Sequence, residues 1–306
     1  MKFAIFTVSL PEWTPETALR ELKDAGYDGI EWRVIDDPQM SNPDATIGFW
    51  SGNRCTLPLS SLVEDAPRIR KLADDAGLDI PGLGTYVLCD EPEDVERAMK
   101  GAKAMGVSAL RVRAPNYDGS VPYLKLLDKT VSEYRDVEAM AKQHGVRALI
   151  EMHMNNVVPS ASACRALAGH FDPRYIGIIH DAGNMVYEGF ENYRLGLEVL
   201  GPYLAHVHLK NAQWQIAGTR ADGSTEWKCG FAPIHKGIVD MRRLLDTELS
   251  TRVPLQPLGP PQLAELLATT LGPCEPSAEL LADIARASAG NVYFVLEILR
   301  SMIRRG

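Results

Sequence analysis

The stretch LAHVHLKN, from Leu204 to Asn211, is a short apolar run that carries two histidines one residue apart and stops at a Lys-Asn pair. Similar apolar runs recur along the chain, separated by segments with a helical pattern. They are FAIFTVSL from Phe3, DGIEWRV from Asp28, DIPGLGTYVL from Asp79, SALRVRA from Ser108, RALIEMH from Arg147, YIGIIHDA from Tyr175 and a weaker RVPLQPL from Arg252. Such alternation favours parallel βα units over a helical bundle or an all-β sandwich.

The segments between the runs carry ordinary signals for the start and the end of a helix. Thr14 is a predicted N-cap with Pro15 at the first helical position, and later helices end at an Ala-Gly, Met-Gly or His-Gly pair. Eight such units in roughly 250 residues match the size of an α/β fold of the (β/α)8 TIM-barrel type. A doubly wound sheet remains the alternative because periodicity does not show closure, although no strand is followed by a glycine-rich dinucleotide fingerprint.

The alternation of apolar runs and helical segments ends at about Thr247. The segments PPQLAELLATTLG, PSAELLADIARASAG and NVYFVLEILRSMIRRG indicate two or three amphipathic helices separated by Gly and Pro. We therefore predict a barrel over residues 1–258, with an atypical or incomplete last βα unit, and a C-terminal helical extension over residues 259–306.

Composition restricts the class of partner. The 306 residues carry a net charge of −8, which gives no basic surface for a nucleic acid and favours a small-molecule ligand. Five scattered cysteines indicate a reducing compartment. The apolar run at the N-terminus is too short for a signal peptide, and no window approaches a membrane span of about 20 apolar residues. We expect a soluble cytoplasmic protein without a membrane partner.

Three polar side chains end successive predicted strands: Glu151, Asp181 and His208. In parallel barrels the functional groups lie at the C-terminal ends of the strands, so these three converge if they face the interior. Each one alone is readily explained as a hydrogen-bonded core residue, but three together would leave unpaired buried charge that costs several kcal/mol. Two carboxylates and an imidazole suit one divalent ion, Mn²⁺, Mg²⁺, Co²⁺ or Zn²⁺. We interpret His206, one layer deeper, as a supporting group.

The segments IEMH, IGIIHDAGNMVYEG and LGPYLAHVHLKN, together with the opening FAIFTVSL and GYDGIEWR, resemble the sugar-phosphate isomerase/epimerase family of xylose isomerase-like TIM barrels. The resemblance covers about residues 1–246 and implies that Glu151, Asp181 and His208 bind one metal. In that family a Glu on strand eight is a fourth ligand and one half of an acid/base pair. Here the expected turn is missing, and Gln256 lies about where that Glu would be.

The tail from Leu255 onward weakly resembles the lid helices of AAA-type signalling ATPases. The chain has no phosphate-binding loop, so this likeness does not imply ATPase activity.

The family resemblance implies an isomerase or epimerase that acts on a sugar, sugar phosphate or cyclitol by proton transfer next to a carbonyl. The implied catalytic positions are Glu151 and Gln256. The predicted substrate-binding residues are Glu31, His153, Asn184, Lys210 and Trp13. Glu31 has an equally weighted alternative, in which it is the ion-pair partner of Arg33 or Arg113.

The departure at Gln256 keeps other functions open. A Gln oxygen coordinates a metal but does not accept a proton at neutral pH, so two-base epimerisation would be impaired while one-base isomerisation or dehydration would survive. A barrel without catalysis, serving binding or assembly, is the main alternative. An endonuclease IV-like phosphodiesterase is less favoured, because the chain is acidic and has 7 His. A homo-oligomer is left open.

Overall fold

The computed structural model describes residues 2–40, 42, 44–246, 259–272, 276–288, 295–296 and 298–299. The strands are β1 (Ala4–Phe6), β2 (Gly29–Val34), β3 (Thr56–Leu57), β4 (Leu83–Thr85), β5 (Ala109–Arg111), β6 (Arg147–Glu151), β7 (Ile176–Asp181), β8 (Leu204–His208), β9 (Asn211–Thr219) and β10 (Thr225–Ala232). The helices are α1 (Pro15–Asp24), α2 (Leu62–Ala76), α3 (Pro92–Met105), α4 (Tyr123–His144), α5 (Ala161–Ala168), α6 (Ala182–Glu188), α7 (Tyr193–Leu200), α8 (Met241–Leu245), α9 (Pro260–Leu271) and α10 (Ala278–Ser288).

Seven parallel strands form the main sheet in the order β1-β2-β4-β5-β6-β7-β8, and the short β3 pairs with β2. This order follows the chain without a reversal, whereas a doubly wound sheet reverses at a switch point. The curled parallel sheet with helices between its strands confirms the predicted α/β barrel class. The eighth strand that we predict at RVPLQPL lies outside the described residues, and so does Gln256.

The helix boundaries follow from local chemistry. The Thr14 hydroxyl accepts a hydrogen bond from the N–H of Thr17, as an N-cap does, and Pro15 opens α1. Helices α2, α3 and α4 each end at a glycine in the left-handed region: Gly77, Gly106 and Gly145, with φ of 67°, 69° and 69°. A glycine adopts this conformation without the steric cost that a Cβ brings, so the predicted Gly endings are confirmed.

Burial differs between the middle and the ends of the sheet. Every residue of β2 and β7 is buried, whereas β1 and β8 are only partly buried. Strands β1 and β8 are also the two outermost strands of the sheet in the described part of the chain. Within the described residues, the sheet therefore has its two edges at β1 and β8.

The antiparallel hairpin of β9 and β10 has no counterpart in our sequence prediction. Its strands pair from Asn211↔Ala232 to Thr219↔Thr225, around the turn sequence Ala-Asp-Gly-Ser at residues 221–224. An Asp-Gly pair between alternating strands is a strong hairpin signal, so the pattern was present in the sequence. The base of the hairpin is fixed to the barrel, because Nε1 of Trp214 donates a hydrogen bond to the carbonyl of Val186, 3.0 Å away.

The chain divides into two compact units, Met1–Ser250 and Thr251–Gly306. In the second unit, the described apolar side chains of Leu263, Leu267, Ile284, Val295 and Leu299 pack into a small core of their own. The boundary that we predict at residue 258 stays a prediction. None of the described helices is both long and apolar enough to cross a membrane.

Candidate functional site

The last residues of β6, β7 and β8 are Glu151, Asp181 and His208, and the structure brings their side chains together. Nδ1 of His208 lies 2.9 Å from Oε1 of Glu151 and 3.6 Å from Oδ2 of Asp181. The strand register explains the convergence, because Asp181 pairs with His208 and Glu151 pairs with Ile179 on the same strand as Asp181. Neighbouring parallel strands in this register end at one rim of the barrel.

Asp181 is held in place by the helix that follows it. It is the N-cap of α6, and its Oδ1 accepts a hydrogen bond from the N–H of Asn184 at 2.8 Å. The other oxygen, Oδ2, is buried and makes no hydrogen bond, although Nζ of Lys210 lies 3.0 Å away. A Cβ on Gly183 would lie 2.4 Å from Cγ of Lys210, so glycine at that position lets Lys210 pass close to the start of α6.

Glu151 is 8% exposed and forms a buried ion pair with Nη1 of Arg111, a residue that our sequence analysis did not single out. Burial alone would raise the pKa of the Glu151 carboxyl, but the charges of Arg111 and His208 outweigh it and hold that pKa well below its usual value. Glu151 is therefore ionised at neutral pH. The signal for Arg111 was the RVR pattern at the end of β5, which places alternate arginines on one face.

Glu31, at the rim end of β2, contacts the two histidines of β8. Its Oε2 lies 3.1 Å from Nε2 of His208 and 3.3 Å from Nε2 of His206. The interpretation of Glu31 as the partner of Arg33 or Arg113 is wrong. The guanidinium of Arg33 turns away, because Nη1 donates to Thr56 at 2.7 Å.

The charges around His208 determine its protonation in the metal-free protein. Burial lowers the pKa of the imidazole, but the carboxylates of Glu31, Asp181 and Glu151 together raise it well above its usual value. The ring of Phe6 stacks on the imidazole with centroids 5.8 Å apart. His208 thus has a fixed orientation and different carboxylates at its two nitrogens.

These residues fit a divalent cation. Ligand atoms of Glu151, Asp181 and His208 all lie within 4.8 Å of one another, and the same holds for Glu31, His206 and His208. Two carboxylates and an imidazole are oxygen and nitrogen donors that suit Mn²⁺, Mg²⁺, Co²⁺ or Zn²⁺, and Oδ2 of Asp181 lies 3.6 Å from Nδ1 of His208 in this group. A carboxylate at Nε2 of a histidine that coordinates through Nδ1 is a common supporting arrangement, which Glu31 matches.

A cavity of about 1530 Å³ opens beside these residues and continues along β1 and β8 towards Lys2 and Asp79. Of the predicted substrate-binding residues, Glu31, His153 and Lys210 line it. Asn184 and Trp13 do not. The Asn184 amide donates to the carbonyl of Met152 at 3.0 Å, and Trp13 packs against the hydrophobic core.

The hairpin contributes to the cavity wall through Phe231, whose ring centroid lies 5.0 Å from Nζ of Lys210. Two further aromatic residues, Trp50 and Tyr86, line the same cavity. Aromatic faces beside polar groups are typical of sites that bind small polar molecules.

Comparison with known proteins gives relatives of several kinds. Two inosose dehydratases of Clostridium perfringens strains are each 30% identical to this chain over 131 residues, which is 40% of this chain and 42% of theirs. The matched region thus spans less than half the length of these curated relatives.

Solved structures resemble the chain over a longer span. The IOLI protein with a bound zinc atom has a TM-score of 0.58 at 16% identity, covering 81% of this chain and 84% of that one. A xylose isomerase-like TIM barrel protein from Mycobacterium smegmatis, in complex with magnesium, has a TM-score of 0.54 at 17% identity, covering 98% and 96%. At these identities the likeness shows the fold.

The family model for this fold matches residues 19–247, which is more than half of the chain. The match includes β2 to β8 and therefore every described residue of the candidate metal site. The chain belongs to the xylose isomerase-like TIM barrel family.

Proposed function

We propose that this protein is a divalent-metal-dependent isomerase or epimerase that moves a proton next to the carbonyl of a sugar, sugar phosphate or cyclitol. The observation that carries the proposal is the convergence of Glu151, Asp181 and His208 at the barrel rim beside a large cavity. The family supports the same class of chemistry, and the neighbours with bound zinc or magnesium support a divalent ion.

Glu151, Asp181 and His208 would hold the ion, with Gln256 proposed as a fourth ligand. When bound, the ion supplies Lewis acidity that polarises a carbonyl. Glu151 is the proposed general base, which accepts the proton from the carbon next to the carbonyl; the charges of Arg111 and His208 keep it ionised, as a base must be. The same carboxyl then returns the proton to the former carbonyl carbon, while the hydroxyl proton of the substrate passes to the former carbonyl oxygen, and these two transfers complete an isomerisation with one base.

The remaining cavity residues orient the substrate. Lys210 is a hydrogen-bond donor beside Asp181, and its ammonium group lies against the Phe231 ring. Glu31 is a second ionised carboxylate, because the His208 and His206 contacts outweigh its burial and hold its pKa far below the usual value. It accepts hydrogen bonds and keeps the His208 ring fixed.

Dehydration is the second candidate reaction, favoured by the two inosose dehydratase relatives. It begins with the same removal of a proton next to a carbonyl, after which a β-hydroxyl leaves as water. One base is therefore sufficient for both isomerisation and dehydration, and identification of the product distinguishes the two reactions.

The test combines metal analysis with turnover. The purified protein is measured for Mn, Mg, Co and Zn and is incubated with ketoses and inososes in D₂O. Deuterium incorporation next to the carbonyl reports proton transfer, and absorbance of a conjugated enone reports dehydration. Glu151→Gln should lower turnover by roughly 10²–10⁴-fold, whereas the exposed control Glu198→Gln should not change it. Bound metal without deuterium incorporation or enone formation on any substrate would support a binding or assembly role instead.

A further inference from the structure

The ends of β4 and β5 present three hydrogen-bond donors to the cavity. Tyr86 directly follows β4, Arg111 is the last residue of β5, and Arg113 comes two residues later. All three line the cavity. The Arg111 guanidinium carbon lies 4.6 Å from the centre of the Tyr86 ring, so two of the donors are in direct contact. We call Tyr86, Arg111 and Arg113 the donor cluster.

Two polar groups of the donor cluster have no hydrogen-bond partner of good geometry among the described residues, although the Tyr86 oxygen and the Arg111 guanidinium lie close enough to attract each other. The Tyr86 hydroxyl and Nη2 of Arg111 are buried and make no hydrogen bond there. The other nitrogens of Arg111 are used, since Nε donates to the carbonyl of Thr85 at 2.9 Å and Nη1 pairs with Glu151. Arg111 is therefore fixed in place with one N–H group to spare. Most buried polar groups in proteins are paired, so two unpaired donors in one cavity wall indicate a ligand.

Arg113 adds a positive charge that the carboxylates of Glu151 and Glu91 offset only in part. Its side chain makes no ion pair or hydrogen bond within the described ranges, and burial together with the charge of Arg111 lowers its pKa. The carboxylates nearby already have partners: Glu151 pairs with Arg111, Asp181 with Lys210, and Glu31 with the histidines. A partly buried guanidinium without an anion is unfavourable, and a bound oxyanion would relieve that cost.

We propose that the donor cluster is a subsite for an oxyanion carried by the substrate, a phosphate or a carboxylate, and that the protein therefore acts on acidic polyhydroxy ketones. Guanidinium groups bind both oxyanions through paired N–H donors, and a tyrosine hydroxyl adds a third direction. The inference rests on the proposed function, because it assumes that a ketose enters the same cavity.

Isothermal titration calorimetry on the full-length protein tests the subsite. The probes are D-fructose, D-fructose 6-phosphate and 5-keto-D-gluconate, titrated into wild type, Arg113→Gln, Tyr86→Phe and the exposed control Arg20→Gln. We expect at least one acidic probe to bind wild type about 10-fold or more tightly than fructose, and Arg113→Gln to lower that affinity by about 10–100-fold. Fructose affinity should stay the same in all four proteins. Preference for the phosphate identifies a sugar phosphate, and preference for the carboxylate identifies a sugar acid.

Equal affinities of wild type for the three probes, or no measurable binding of either acidic probe, would overturn the subsite. So would an Arg113→Gln variant that has a native circular dichroism spectrum and keeps the preference. These outcomes are separate from the test of the proposed function. If uncharged ketoses turn over only with intact Glu151 and the acidic probes show no preference, the proposed function holds and the subsite is rejected. If the acidic probes bind in a way that depends on Arg113 but no substrate turns over, the subsite holds and the proposed function is rejected.

Discussion

Two parts of the barrel rim carry different kinds of polar group, carboxylates in one and hydrogen-bond donors in the other. At the ends of β6 and β7 and on β2 lie three carboxylates, Glu151, Asp181 and Glu31, and a cation or a histidine lies against each of them. At the ends of β4 and β5 lie hydrogen-bond donors instead, and the Tyr86 hydroxyl and Nη2 of Arg111 are buried there without a hydrogen-bond partner among the described residues. The difference matches the two proposals, a cation at the first part and an oxyanion at the second. Arg111 belongs to both, because it pairs with Glu151 and stacks on Tyr86.

In the metal-free protein a protonated His208 supplies positive charge to the carboxylate side. Its raised pKa results from three surrounding carboxylates, which an imidazolium stabilises as a metal ion would. The donor side has no corresponding internal group among the described residues. Removing a charged or polar group from the carboxylate side should therefore change the stability of the ligand-free protein differently from removing one on the donor side.

The largest effect on stability is expected at Arg111, where the two sides meet. Arg111→Met removes the closest cation from a buried carboxylate and leaves Glu151 with only the His208 imidazolium, and breaking a buried ion pair in this way typically costs about 3–5 kcal/mol. Urea unfolding of the metal-free protein at pH 7 measures the loss. Arg20→Met, which removes an exposed pair with Glu21, is the control and should cost at most about 1 kcal/mol. A loss below about 1 kcal/mol for Arg111→Met would mean that Glu151 does not depend on Arg111.

A smaller effect is expected at Glu31, on the carboxylate side alone. Glu31→Gln keeps the shape of the side chain but removes the charge that orients His208 through Nε2, and such supporting carboxylates are typically worth about 10–100-fold in metal affinity. Competition with a chelating dye measures the affinity for Zn²⁺ or Mn²⁺. Glu198→Gln serves as the exposed control. Unchanged metal affinity would show that Glu31 does not support the His208 imidazole. The metal site would then consist of Glu151, Asp181 and His208 without Glu31.

Much of this arrangement follows from local sequence. The βα alternation and the Gly endings of α2, α3 and α4 depend on neighbouring residues, so they were predictable. The meeting of Glu151, Asp181 and His208 required one additional rule, that parallel strands end at a common rim. Their proposed role in metal binding and catalysis stays a prediction.

What sequence reasoning missed depends on the relative positions of distant strands. Arg111 faces Glu151 because β5 pairs with β6 in a particular register, with Arg111 opposite Leu149, and no local pattern reveals that register. The alternative in which Glu31 pairs with Arg33 or Arg113 was wrong for the same reason. Its histidines are about 175 positions away in sequence and come close only because β8 lies near β2 across the curled sheet. The β9–β10 hairpin was also missed, but for a different reason: its Asp-Gly turn is a local signal that the sequence analysis did not use.

The smallest effect is expected at Tyr86, on the donor side. Tyr86→Phe removes a buried hydroxyl that has no hydrogen bond in the described structure, while the ring beneath the Arg111 guanidinium remains. Losing an unpaired polar group removes its desolvation cost, so the ligand-free variant should be as stable as wild type or more stable by up to about 1 kcal/mol. Urea unfolding measured with and without D-fructose 6-phosphate separates the two contributions, because added stability from the phosphate should fall in the variant. A ligand-free loss of more than about 1.5 kcal/mol would mean that the hydroxyl has a partner in solution, and the contrast between the two sides of the rim would disappear.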